Sequence, residues 1–281
     1  WEIDSFVSDI YIKENGTVDI TEIITADFSK EAHRGIERSI PYKYENGYNA
    51  QIKIISAANE KGEEWETKTF KELGNLYVQM TTKNDSLLNN KNTYKLNYTA
   101  KNVITFQNTH DEFYWNVNGP DWVVPTKNIS ATIHLPRNFK ETEISLACFS
   151  GIYGADEQNC KWKITSPNTI TFWGVKEFAS YENMTIVVGL PKGAIRQPSK
   201  IEKLLWFFKD NPLAPAAPIT LILMLLLWWK YGRDEKTIRD TMMPHFTPPK
   251  ELLPSETGTL IDEKVDPRDI TASIIDHAIK G

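Results

Sequence analysis

At 281 residues, with 32 basic and 37 acidic side chains, the chain has room for roughly two domains. Its net charge of -5 leaves no surplus of cations to neutralise a phosphate backbone, which excludes nucleic acid as a partner of the whole chain. With 41% hydrophobic and 25% charged residues, the composition also excludes a disordered chain and a polytopic membrane protein.

Both ends read as cut. Trp1 stands where Met would begin a chain and strand-like alternation starts at once, while a helical stretch at the other end stops at Gly281 with nothing after it to pack against.

From residue 1 to about 195, apolar residues alternate with polar ones between turn signals, which predicts an all-β domain. Ile10 and Ile12, the Glu14-Asn15-Gly16 turn, then Val18 and Ile20 predict a hairpin with the favoured Asn-Gly pair. Strands of period two follow at Ile52 and Ile54, at Leu76 to Met80, at Tyr94 to Tyr98 and at Phe113 to Val117. Further ones are expected at Ile129 to Leu135, Ile144 with Leu146, Trp162 with Ile164, Ile170 with Phe172, and Met184 to Val188. About ten short strands without a long helix predict a β-sandwich.

Within this domain His110-Asp111-Glu112 is the densest ionisable cluster. It reads as a solvated loop leading into the Phe113 strand, with an acid/base group as the sharper alternative. On that strand Phe113 and Trp115 share one face and read as core, whereas Tyr114 and Trp122 are the candidate binding surface for a sugar or a partner's side chain. Cys148 and Cys160, the chain's two cysteines, flank a glycine-punctuated loop. They are either a disulfide formed in an oxidising compartment or two unrelated thiols; a zinc site would lack further cysteine ligands, and the nearest histidine is His134. The five histidines are scattered and no nucleophile elbow, phosphate loop or dinucleotide fingerprint is present, so neither catalytic residues nor a metal or cofactor are expected.

Residues 196–211 form a juxtamembrane segment in which Ile201 to Phe208 reads as a short amphipathic helix lying along a membrane interface, its lysines snorkelling. The uncharged run Pro212 to Trp229 follows, and a helix over residues 212–231 would rise about 30 Å, the thickness of a bilayer's hydrocarbon core. Asn211 suits its N-cap, and Trp228, Trp229 and Tyr231 its aromatic belt. Pro218 either kinks that helix or marks a later, shorter start. Basic residues on the two flanks balance, so charge does not set the direction of crossing. Residues 232–281 then read as a proline-rich linker, Met243 to Pro254, and a helix opened by Asp266-Pro267 whose face carries Ile270, Ile274, Ile275 and Ala278, the start of a small helical module.

Four strings together resemble the DUF2207 family of bacterial and archaeal predicted membrane proteins, also called YciQ-like. The run His33 to Pro41 contains Gly35, Arg38, Ile40 and Pro41 in the family's Gly-x-x-Arg-x-Ile-Pro pattern. The run Glu112 to Gly119, with Trp115 and Gly119, precedes Trp122 and Pro125. The third string is the Cys148 to Cys160 loop, and the fourth is Trp228 to Asp234, which includes Gly232, Arg233 and Asp234. The resemblance implies an extracytoplasmic N-terminal domain behind a removed signal peptide, one membrane crossing in this chain, and a cytoplasmic part continuing past Gly281. It implies no activity.

The functional expectation is a non-enzymatic, membrane-anchored binding, scaffold or sensory protein of the cell envelope, with the lipid bilayer and an envelope protein or glycan as partners. The alternative is an envelope enzyme acting on glycan or peptide through a carboxylate or His110.

Overall fold

The computed structural model describes residues 1–43, 49–232 and 252–281. The expected Arg233 and Asp234, and most of the expected linker from Met243, lie outside the described residues. Fourteen strands are described: β1 (Glu2–Ile12), β2 (Val18–Asp27), β3 (Gly35–Pro41), β4 (Gln51–Ala58), β5 (Glu66–Glu72), β6 (Asn75–Thr81), β7 (Lys91–Lys101), β8 (Ile104–Phe106), β9 (His110–Asn116), β10 (Thr126–His134), β11 (Ser145–Gly151), β12 (Cys160–Ser166), β13 (Thr169–Gly174) and β14 (Asn183–Pro191). Four α-helices follow: α1 (Lys200–Asp210), α2 (Ala216–Tyr231), α3 (Pro254–Asp262) and α4 (Pro267–Lys280). The chain divides into two units, Trp1–Pro215 and Ala216–Gly281.

The first unit is mostly β, as the alternation predicts, but its strands form three sheets. A seven-stranded sheet runs β12-β13-β10-β1-β2-β7-β4, a four-stranded one β11-β14-β9-β8, and a three-stranded one β3-β6-β5. The hairpin of β1 and β2 is closed by Gly16 at φ 77°, with Thr17 N–H bonded to Asn15 Oδ1, so the Asn-Gly pair performs the turn chemistry expected of it. A register shift between Ile3 and Ser5 changes the parity of β1, which explains how Ile3 and Phe6 both reach the core although they are an odd number of positions apart. Beside this hairpin, β1 pairs with β10 in parallel, a long-range closure that alternation does not encode.

Alternation fails to reveal three strands. All seven residues of β5 are exposed, so it carries no apolar period, and its Lys and Glu side chains suit the edge that it forms. β8 is only three residues long, and β3 breaks period two because Arg38 and Ser39 are both buried.

Cys148 and Cys160 are bonded and nearly fully buried. They join β11, at the edge of the four-stranded sheet, to β12, at the edge of the seven-stranded one. Closing a loop of this size stabilises by about 3 kcal/mol in the chain-entropy model.

Asn211 caps the C-terminus of α1, donating its N–H to the Phe207 carbonyl, and therefore does not open the apolar helix. That helix begins at Ala216 and has 16 residues in place of the expected twenty. Pro218 falls in its first turn, where a missing N–H removes no helical bond, so the shorter start is the one realised. No described helix is long and apolar enough to cross a membrane.

In the second unit α4 forms where Asp266-Pro267 predicts it, and α3 packs against it. Ser255 N–H donates to Ser273 Oγ at 3.0 Å, and Gly258 allows the approach, since a Cβ there would lie 2.1 Å from Asp269 Oδ1.

Candidate functional site

Two of the four strings, His33 to Pro41 and Glu112 to Gly119, converge on one buried charge pair. Glu22 lies on the core-facing parity of β2 between Ile20 and Ile24, and is fully buried. Arg38 of β3 meets it with two parallel bonds, Nε to Oε2 and Nη2 to Oε1, both 2.8 Å. The remaining guanidinium donors go to backbone carbonyls: Nη1 to Ser39 and, at 2.7 Å, to Asn118, and Nη2 to Val117 at 3.0 Å. All five N–H groups are thereby satisfied, the condition for tolerating a buried cation. Tyr98 Oη donates to Glu22 Oε1 at 2.6 Å and completes the set.

Burial acts to lower the Arg38 pKa, but the Glu22 carboxylate and its hydrogen bonds outweigh it and hold the guanidinium above its ordinary value. Gly119 stands at φ 77°, and a Cβ there would sit 2.6 Å from Arg38 Nη1, so this glycine answers to both conformation and space. Gly35 is tighter still, its imagined Cβ 2.0 Å from the Met80 carbonyl where β3 and β6 pass. Ile40 is buried and Pro41 ends β3. The arrangement ties the three sheets together at one point and is closed to solvent, so its chemistry is structural.

Trp115 is 2% exposed, stacked on Phe113 with centroids 6.0 Å apart, and belongs to the core as expected. Tyr114 faces outward at 43% exposure. Trp122 corrects its expected surface position: it is 6% exposed, its indole N–H donates to the Asn118 carbonyl at 2.8 Å, and its ring meets Phe6 and Trp1 edge-on at 6.4 and 6.5 Å. No open ring face remains there for stacking.

His110, Asp111 and Glu112 are also corrected. They open β9 and are not a loop, and the Asp111 side chain has no exposed surface. It accepts from Gly193 N–H at 3.0 Å and from Lys192 Nζ at 3.1 Å, pinning the turn that follows β14 to the start of β9. Asp111→Ala is expected to cost about 1–3 kcal/mol by removing the charge-assisted hydrogen bonds that this buried carboxylate accepts from Gly193 and Lys192. A shift of the urea midpoint checks this, and an unchanged midpoint sinks the assignment.

An open concavity of about 470 Å³ lies beside the C-terminal ends of β1 and β10 and includes Tyr11, Lys13, His134 and Pro136 among its lining. The His134 and Tyr11 rings stack at 4.0 Å and 8°, and His134 Nε2 lies 2.7 Å from Asp9 Oδ1. The nearby Asp9 carboxylate pushes the Tyr11 phenol above its ordinary pKa. Sequence reading missed this trio because the parallel pairing of β1 and β10 brings it together across 125 residues. Among the described residues no group of three His, Cys, Asp or Glu side chains is placed to hold a metal ion.

Comparison with solved structures finds low similarity to peptidases. An M1 zinc metallopeptidase from Deinococcus radiodurans is 9% identical, covering 67% of this chain and 42% of that one, with a TM-score of 0.37. A putative protease from Parabacteroides distasonis is 9% identical, covering 66% and 40%, with a TM-score of 0.39. An aminopeptidase N family protein from Idiomarina loihiensis is 14% identical, covering 65% and 29%, with a TM-score of 0.30. The chain thus spans less than half the length of these proteins, and a likeness this distant bears no argument about activity. No curated protein matches the sequence. The family model described as predicted membrane protein (DUF2207) N-terminal domain matches residues 2–197, which take in the Glu22–Arg38 pair, Gly119 and the disulfide. The chain belongs to the DUF2207 family of predicted membrane proteins.

Proposed function

We propose that this is a membrane-anchored, non-enzymatic binding module of the cell envelope, its β-domain outside the cytoplasm with the seven- and four-stranded sheets as the layers of a sandwich. The observation that carries the anchor is α2. Its large apolar side chains from Ile219 to Tyr231 are 48–72% exposed on every side, and a helix without a polar face belongs in lipid or in a core. Sixteen residues rise about 24 Å, and the uncharged Pro212 to Pro215 precedes them. The shortfall against a ~30 Å hydrocarbon core is met by local thinning, with Trp228, Trp229 and Lys230 at the boundary. Direction follows from the disulfide, which needs an oxidising compartment, together with the family resemblance.

Binding is favoured over chemistry because Glu22, Arg38 and Asp111 spend their polar atoms inside the fold. The surfaces left for an envelope protein or glycan include Tyr114 and the Tyr11 concavity. Cell fractionation tests the anchor: the full chain should resist alkaline extraction from membranes, and deletion of residues 212–231 should release it. Direction is tested by an impermeant thiol reagent in intact cells, which should label Lys61→Cys and spare Glu263→Cys. Extraction of the full chain, or the reverse labelling, refutes the corresponding half of the proposal.

A further inference from the structure

Helix α1 has two faces with different work. Ser199 caps it, accepting from Glu202 N–H at 3.2 Å while the Glu202 carboxylate accepts from Ser199 N–H at 2.8 Å. On the face turned to the β-domain, Asp210 accepts from Gln51 Nε2 at 2.9 Å and from Asn49 Nδ2 at 3.2 Å. At the other end Arg196 bonds Glu202 Oε1 at 2.8 Å and gives its backbone N–H to the Glu14 carbonyl at 2.7 Å. Between these ends Trp206 closes a cavity of about 80 Å³ with Gly16, Ile104 and Phe106. The helix is therefore clamped to the domain at both ends.

The Ser199 bonds, followed by the Arg196 bond, hold the Glu202 carboxyl well below the usual range, at about 2. Because the folded value lies below the ordinary 4.5, the cap's contribution is complete above pH 4.5 and disappears as pH falls through about 2. A carbon-detected titration of Glu202 should show that low midpoint; a midpoint near 4.5 would mean that the cap is open.

The opposite face carries Ile201, Leu204 and Leu205, which are 70%, 52% and 61% exposed, with Phe208 one turn on. At 100° per residue Lys200 and Lys209 fall about 90° to either side of that face. We infer that this face is a docking surface for the headgroup boundary of an anionic bilayer, so that α1 works as a bracket holding one end of the β-domain against the membrane. The inference rests on the reading of α2 as the anchor. Only residues 211–215 separate the two helices, a reach of at most about 22 Å, so α1 stays near the surface in which α2 is embedded. An apolar face with a lysine on each flank suits that boundary, the stems lying in the apolar region and the ammonium groups at lipid phosphates. The clamp extends the consequence to the whole domain. The β1–β2 turn and the end of β7 at Lys101 lie beside α1, whereas the disulfide loop is at the far end of the strands, because β10, which parallels β1, pairs with β13 and so directs Gly174 and its partner Cys160 away.

The test uses the full chain in vesicles of phosphatidylcholine and phosphatidylglycerol, with a fluorophore on one added cysteine at a time and quenchers on lipid headgroups or acyl chains. Leu223→Cys should be quenched from the acyl chains, Leu205→Cys several-fold by shallow quenchers, Lys101→Cys by headgroup quenchers, and Asp156→Cys by none. An unquenched Leu205 label with a quenched Leu223 label overturns the inference and leaves the anchor standing. Failure of both overturns the anchor reading, and the inference with it. Adding Asp210→Ala and Glu202→Ala should open the clamp, reducing quenching at Lys101 several-fold while Leu205 stays quenched. Unchanged quenching at Lys101 would refute the bracket.

Discussion

Arg38→Ala is expected to destabilise the protein by about 3–5 kcal/mol, because it leaves the Glu22 carboxylate buried without its cation. Two backbone carbonyls, those of Ser39 and Val117, lose their Arg38 donor in the same step, while that of Asn118 keeps the Trp122 indole N–H. The size of the loss comes from desolvation and not from any great intrinsic strength of the pair, since a buried ion pair replaced whole by apolar groups is often neutral. The double variant Glu22→Leu with Arg38→Met should therefore recover part of the loss and fall short of the native protein by the cost of the orphaned carbonyls. Urea unfolding of the four proteins of this cycle is the measurement. A single Arg38→Ala variant within 1 kcal/mol of native would show that water reaches the site, about the opposite of what its 1% exposure requires.

Trp115→Ala should cost a similar amount, about 3–5 kcal/mol, since it empties the largest fully buried side chain in the core. Trp115→Phe should cost much less, as the indole N–H has no hydrogen-bond partner to lose and a ring still meets Phe113. Trp122→Ala belongs with Trp115→Ala, because its ring is packed and its N–H is bonded to Asn118. Tyr114→Ala, on the exposed side of the same strand, should stay within about 0.5 kcal/mol. Thermal melting separates these classes; a Trp122→Ala protein that melts like the native one would return that residue to the surface.

Much of this could be read from the residues in order. Period-two alternation located most of the strands, since a half-buried strand must place apolar side chains on every second residue, and Asn15-Gly16 specified its hairpin through local backbone preference alone. Local chemistry likewise marked α4 through Asp266-Pro267 and the apolar stretch that became α2. Family strings gave Gly35, Arg38, Trp115 and Gly119 a common importance without saying what they share. One sign was available and unused: a glutamate at position 22, on the apolar parity of a strand, demands a buried cation somewhere in the chain.

Tertiary structure decided the rest, because each remaining question turned on residues far apart in sequence. Arg38 finds Glu22 across 16 residues and the Asn118 carbonyl across 80, His134 finds Asp9 across 125, and Asp210 finds Gln51 across 159. Trp122 illustrates the limit from the other side. Sequence reading groups it with Tyr114 as a binding surface, yet the chain at Asn118 and Gly119 folds inward beside Arg38 and carries the indole into the core beside Phe6. Alternation reports which face of a strand is apolar, but only the closed fold fixes what lies against that face, and at Glu22, Asp111 and Trp122 the neighbour determines the residue's role.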